Sequence, residues 1–235
     1  MQSHTMIISH RHKFIYIKTI KTASTSLEAA LSTICGPDDV ITVAAERLME
    51  HRTGDTKAQN YRLDHPAVPK QKLWRRLLRR PIRYYHPEVG YYEHIPAWRM
   101  KTYVGDEIWN RYFKFSFERN PWDRQVSFYA FKTRNRNPRP SFDAFNRSKR
   151  QAYVWNWDLY TIEDKVALDF IGRYETLEDD FRKVKDILGI KDELSLPKAN
   201  ASERGKSYRD FYTNESRETI GQWYKREIEL FGYAF

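Results

Sequence analysis

Twice in this chain a short aromatic, β-branched run gives way to a polar turn and then to apolar residues at helical spacing. That order restricts the fold to a sheet with helical crossovers. In the first unit, Lys13 to Thr19 (KFIYIKT), Phe14, Ile15, Tyr16 and Ile17 follow one another as in a strand covered on both faces. Lys21-Thr22-Ala23-Ser24-Thr25-Ser26 comes next, followed by Leu27, Ala30, Leu31 and Ile34 on one helical stripe, with Thr25 and Glu28 placed as a capping box. In the second unit, Tyr112 to Glu118 (YFKFSFE), Phe113, Phe115 and Phe117 alternate with polar residues. Asn120 then stands as helix N-cap, with Pro121 at the first helical position and Asp123 in the first turn. The expected fold is α/β: a P-loop-like parallel sheet flanked by helices. Leu177, Phe181, Val184 and Leu188 mark one covering helix ended by Gly189, and Ile220, Tyr224, Ile228 and Phe231 mark the last.

At 235 residues the chain is long enough for one core, so a single domain over residues 1–235 is expected. An aromatic share of 15% argues against disorder, and a lone cysteine excludes a disulfide scaffold. Cys35, at the end of the first helical stripe, reads as a structural thiol. No run approaches the roughly 18 apolar residues of a membrane span, and the N-terminal stretch has no apolar signal core, so a cytoplasmic protein is expected. The seven histidines show no CxxC or HExxH pattern, and no metal is expected. The net charge of +10 is uneven. His65 to Pro87 holds seven bases (Lys70, Lys72, Arg75, Arg76, Arg79, Arg80 and Arg83) and no acid, inside a stretch of about 54–88 that reads as a basic insertion.

A turn between a strand and a helix N-terminus is an anion site, because the first amides of a helix have no partner in the ladder and the positive end of its dipole points there. Lys21 adds an ammonium, and Thr22, Ser24, Thr25 and Ser26 add hydroxyls. The glycines of a GxxxxGK[ST] loop are absent, as is an evident acid for magnesium, so a metal-independent phosphate ligand fits better. Arg119 stands at the end of the second strand, where a guanidinium can make two hydrogen bonds to a phosphate, and Ser127 lies about two helical turns further on. Two such sites at one sheet edge suggest one ligand with two separated phosphates. Two alternatives stay open: a P-loop-type kinase, and a non-enzymatic nucleic-acid binder driven by the basic charge. Trp122 lies close enough to approach a base, although a tryptophan after Asn-Pro more often joins a core.

The runs KFIYIKTIKTASTSLEAAL, YFKFSFERNPWDRQVSFYAF, IGRYETLEDDF and YRDFYTNESRETIGQWYKREIELFGYAF resemble, in that order, the conserved blocks of the Golgi-type carbohydrate sulfotransferases and their bacterial relatives. The resemblance covers about residues 13–34 and 91–235. It implies 3′-phosphoadenosine-5′-phosphosulfate (PAPS) as donor, adenosine 3′,5′-bisphosphate as product and a hydroxyl acceptor, expected to be a saccharide. By position, Lys21 matches the contact to the bridging and sulfuryl oxygens, while Thr22, Ala23, Ser24, Thr25 and Ser26 match the phosphosulfate loop. Arg119 and Ser127 match the 3′-phosphate ligands. Lys198, Arg204 and Lys206 fall where the loop resembles the family's late loop that folds over the nucleotide. His94 matches the catalytic base, with Glu93 as runner-up and His86 third; an imidazole titrates near neutrality, as a base there should. The chain departs from the family at Ala23-Ser24, where many members carry glycine. On this reading the basic segment faces an anionic acceptor, a membrane surface or solvent, and no nucleic-acid partner is expected.

Overall fold

A computed structural model describes residues 6–42, 58–63, 90–197 and 207–235. The basic segment Lys70 to Arg83, His86, and the late-loop residues Lys198, Arg204 and Lys206 lie outside the described residues. Five strands form the main sheet: β1 (Ile7–Ser9), β2 (Phe14–Tyr16), β3 (Val40–Ile41), β4 (Phe113–Glu118) and β7 (Phe170–Arg173), in the order β3-β1-β2-β4-β7. Strands β2, β4 and β7 are mutually parallel, as the two strand-to-helix units predict. The other edge departs from an all-parallel sheet, since β1 runs antiparallel to both β2 and β3. Asp39 holds that edge together. Its carboxylate accepts from the backbone N–H groups of His10 (2.6 Å) and Gly36 (2.8 Å) and from the Ser9 hydroxyl (2.9 Å). Part of the stretch read as an insertion also joins this edge, where Gln59 bridges to Ile41.

The period of two along β2 sorts its side chains onto two apolar faces. Phe14 and Tyr16 pack with Phe115, Phe117, Leu27 and Leu31 beneath α1 (Ser24–Ser32) and α7 (Leu177–Leu188). Ile15 and Ile17 pack on the other face with Ile95, Met100 and Trp109, beneath α2 (Ala97–Arg111), a helix interrupted at Gly105, whose φ of 78° suits glycine. A third core joins α3 (Pro121–Thr133) to the C-terminal helices α8 (Asn214–Trp223) and α9 (Lys225–Phe231), and Trp122 packs there, buried. Short helices α4 (Phe142–Asn146), α5 (Lys149–Ala152) and α6 (Asn156–Tyr160), together with the β5 (Thr161–Ile162) and β6 (Lys165–Val166) ribbon, link α3 to β7.

Two local expectations are corrected. Residue Thr25 does not cap α1; Ala23 is the N-cap, in left-handed conformation (φ 58°), and Glu28 turns inward to a buried lysine. The last apolar stripe is two helices rather than one, broken at Tyr224 (φ −115°, ψ 26°). Tyr224 is fully buried, accepts from the Val154 N–H (2.8 Å) and donates to Gln125 Oε1 (2.8 Å), so its anchored side chain fixes the break. Gly189 closes α7 in left-handed conformation, as its position after the stripe predicts. Cys35 is half-buried at the end of α1, with its thiol donating to the Leu31 carbonyl at 3.4 Å.

Candidate active site

The parallel pairing of β2 with β4 brings the ends of both strands to one edge of the sheet. After β2, Thr19 bonds the Phe117 carbonyl and the Thr22 hydroxyl (2.8 Å), which fastens the turn to the neighbouring strand. Thr22 is fully buried, with its hydroxyl engaged by Thr19. Lys21 (φ 64°) and Ala23 (φ 58°) both adopt left-handed backbone, a conformation that wraps successive amides around a small concavity. Helix α1 then starts without a side-chain cap among the described residues, and Ser26 and Leu27 make the first ladder bonds, to the Ala23 carbonyl. Its leading amides therefore have no partner within the helix. Ser24 and Ser26 are buried at this helix start, and Thr25 is half-buried. The Lys21 ammonium lies 4.8 Å from the Phe131 ring centre.

Arg119 follows β4 directly and is 7% exposed. Its Nε (2.8 Å) and Nη2 donate to Asp123 of α3, its Nη1 reaches the Lys21 carbonyl at 3.4 Å, and the guanidinium lies 3.9 Å from the Tyr174 ring centre. Of five N–H donors three are engaged, which leaves one on each terminal nitrogen. Asp123 already balances part of the guanidinium charge. Ser127, one turn beyond Asp123, is buried on the same face of α3.

Ahead of α2 lies a second polar cluster that spacing alone did not indicate. Lys18, 2% exposed inside the apolar strand run, places its ammonium 3.0 Å from Glu28 and 3.3 Å from Glu93. Burial alone would lower the lysine's pKa, but the two carboxylates outweigh it and raise it above its ordinary value. Burial also pushes the Tyr16 phenol well up, with Glu28 and Glu93 adding to the shift. His94 Nδ1 is 2.8 Å from the Lys18 carbonyl oxygen, and its Nε2 is 3.1 Å from Glu93. A carbonyl oxygen only accepts, so Nδ1 carries a hydrogen and Nε2 is the nitrogen that faces Glu93. The two candidate bases thus sit in contact with each other. A lysine within a doubly covered strand was the available sequence clue, since a buried cation requires a partner.

Among the described residues no three His, Cys, Asp or Glu side chains converge as a metal site. No helix among them is long and apolar enough to cross a membrane.

The model of the family described as "Sulfotransferase family" matches residues 4–234. A protein of Archaeoglobus fulgidus, described as an uncharacterized protein, is 39% identical over 106 residues, which cover 43% of this chain and 88% of that relative. No solved structure matches.

Proposed function

The chain belongs to the sulfotransferase family, and from that premise we propose that it transfers the sulfuryl group of PAPS to a carbohydrate hydroxyl in the cytoplasm. The observation that carries this reading is the contact between its two anion-binding units: the Arg119 guanidinium donates to the carbonyl of Lys21 across adjacent parallel strand ends. The residues fit such a donor. The left-handed turn and uncapped start of α1 suit the 5′-phosphosulfate, and the two remaining Arg119 donors with Ser127 suit a 3′-phosphate.

The acceptor oxygen forms a bond to sulfur as the bond from sulfur to the 5′-phosphate oxygen breaks, and the departing phosphate keeps that electron pair. Lys21 stabilises the charge that develops on the leaving oxygen, an effect realised mainly in the transition state. The acceptor proton passes to the His94–Glu93 pair, whose spacing lets either group hold it. The products are a sulfate ester and adenosine 3′,5′-bisphosphate.

Thermal shift separates this reading from the kinase and nucleic-acid alternatives. Adenosine 3′,5′-bisphosphate without metal is expected to raise the Tm, and ATP with magnesium or an oligonucleotide is expected not to. Stabilisation by magnesium–ATP instead would overturn it. Transfer from labelled PAPS to a panel of neutral and anionic glycans then identifies the acceptor.

A further inference from the structure

Asn156 opens α6 far from either anion-binding unit in sequence, yet it is fully buried between them. Its Oδ1 accepts from the Ile20 N–H at 2.8 Å and its Nδ2 donates to the Ile20 carbonyl at 3.2 Å. The side-chain amide therefore grips both polar groups of the residue just before Lys21, as a neighbouring strand would. The same Nδ2 donates to Glu118 Oε1 at 3.1 Å. That oxygen also accepts from the Arg119 N–H at 2.9 Å and from Arg124. Arg124, itself fully buried, continues to Glu227 at 3.2 Å. One amide thus joins the peptide that leads into Lys21 to the carboxylate that holds the backbone of Arg119.

We propose that Asn156 is a positioning residue that sets the separation of the two phosphate-binding units, and so selects a nucleotide with phosphates at two positions over one with a single phosphate. The inference rests on the donor reading above. Two binding groups on one rigid frame act as a chelate only if the frame matches the ligand's span, because a mismatch or a loose hinge removes the advantage of the second contact. The hydrogen bonds of the Asn156 side chain go to the Ile20 backbone and to Glu118, not to the ammonium of Lys21 or the guanidinium of Arg119. Its loss should therefore leave each unit's own affinity nearly unchanged and weaken only their joint action.

Calorimetry with adenosine 3′,5′-bisphosphate, adenosine 5′-monophosphate and adenosine 3′-monophosphate tests this. In the wild-type protein the bisphosphate is expected to bind at least about 100-fold tighter than either monophosphate. In Asn156→Ala the bisphosphate should lose about tenfold, with each monophosphate changing less than about threefold. A wild-type protein with no preference for the bisphosphate overturns the donor reading and this inference together. A preference that stays at its wild-type size in Asn156→Ala overturns the inference alone, and so does a uniform loss for all three ligands, the mark of general destabilisation. If the alanine variant does not fold, hydrogen exchange on the wild-type protein decides. Binding of the 5′-monophosphate should slow exchange at the Ile20 and Arg119 amides together, and protection confined to Ile20 rules the brace out.

Discussion

The two strand-turn-helix units share a topology and solve the helix start in opposite ways. After β4, the Asn120 side chain accepts from the Trp122 N–H at 3.1 Å and Pro121 fills the first helical position, so α3 is closed by its own residues. After β2, no side chain caps α1, and the turn reaches the helix through Lys21 and Ala23 in left-handed conformation. On the proposed reading, the self-capped unit offers an anion side chains, namely Arg119 and Ser127, and the uncapped unit offers backbone amides, with Lys21 as an addition. Positive φ at non-glycine residues occurs in the uncapped turn and not in the self-capped one, as a turn that converges amides on a ligand would require.

The widest separation between the units should appear when each loses its cation. Lys21→Ala leaves the amide cradle in place, so bisphosphate affinity should fall only about tenfold, while sulfuryl transfer from labelled PAPS falls about 10²–10³-fold with the lost charge stabilisation. Arg119→Ala removes the main ligand of its unit. Bisphosphate binding should weaken by about 1.5–3 kcal/mol, with adenosine 5′-monophosphate nearly unaffected, as read by calorimetry. If Lys21→Ala abolishes bisphosphate binding and Arg119→Ala does not, the assignment of backbone and side-chain roles is reversed.

How far this was legible in the sequence follows from the range of the interactions. The Asn120 cap, Pro121 and the Gly189 stop each act within four residues, and all three stand where the chain's local chemistry predicts. The Thr25–Glu28 capping box is equally local and fails, because Glu28 is 1% exposed and pairs with buried Lys18. Leaving a buried ammonium without a counter-charge costs several kcal/mol, whereas an N-cap contributes about 1 kcal/mol. Lys18 decides that contest from ten residues away, and Glu93 joins it from the loop ahead of α2. The alternation of Phe113, Phe115 and Phe117 suggested a strand with one polar face. Ser116 and Glu118 on that face are fully buried, bonded to Ile17 and to Asn156, so the polar residues build a network instead of meeting water. Asn156 left no trace in sequence, since its grip on Ile20 spans 136 positions.

A change of intermediate size tests the strain in the first unit. An L-residue in left-handed conformation costs roughly 1 kcal/mol, and Ala23 bears that cost at the α1 N-cap. Ala23→Gly should raise the Tm by about 2–4 °C and preserve bisphosphate binding. Ala23→Val, with a β-branched side chain forced to positive φ, should lower both. Equal Tm values for the glycine and valine variants would show that the turn is not held in this conformation.

The smallest effect is expected at the matching position of the second unit. Asn120 Oδ1 caps α3, its Nδ2 donates to the Ala234 carbonyl at 2.8 Å, and its N–H donates to Glu175 at 2.7 Å. Asn120→Ala should cost about 1 kcal/mol, seen as a Tm lower by about 2–4 °C, because the cap is lost while the backbone bond to Glu175 survives. Asn120→Asp retains an acceptor for the Trp122 N–H and should recover most of that loss, short of the bond to Ala234. Bisphosphate affinity should change less than about threefold in either variant, since binding in this unit resides in Arg119 and Ser127 and not in the helix amides. A tenfold loss of affinity in Asn120→Ala, with the Tm unchanged, would mean that the amides of α3 also face the ligand and that the two units bind anions alike.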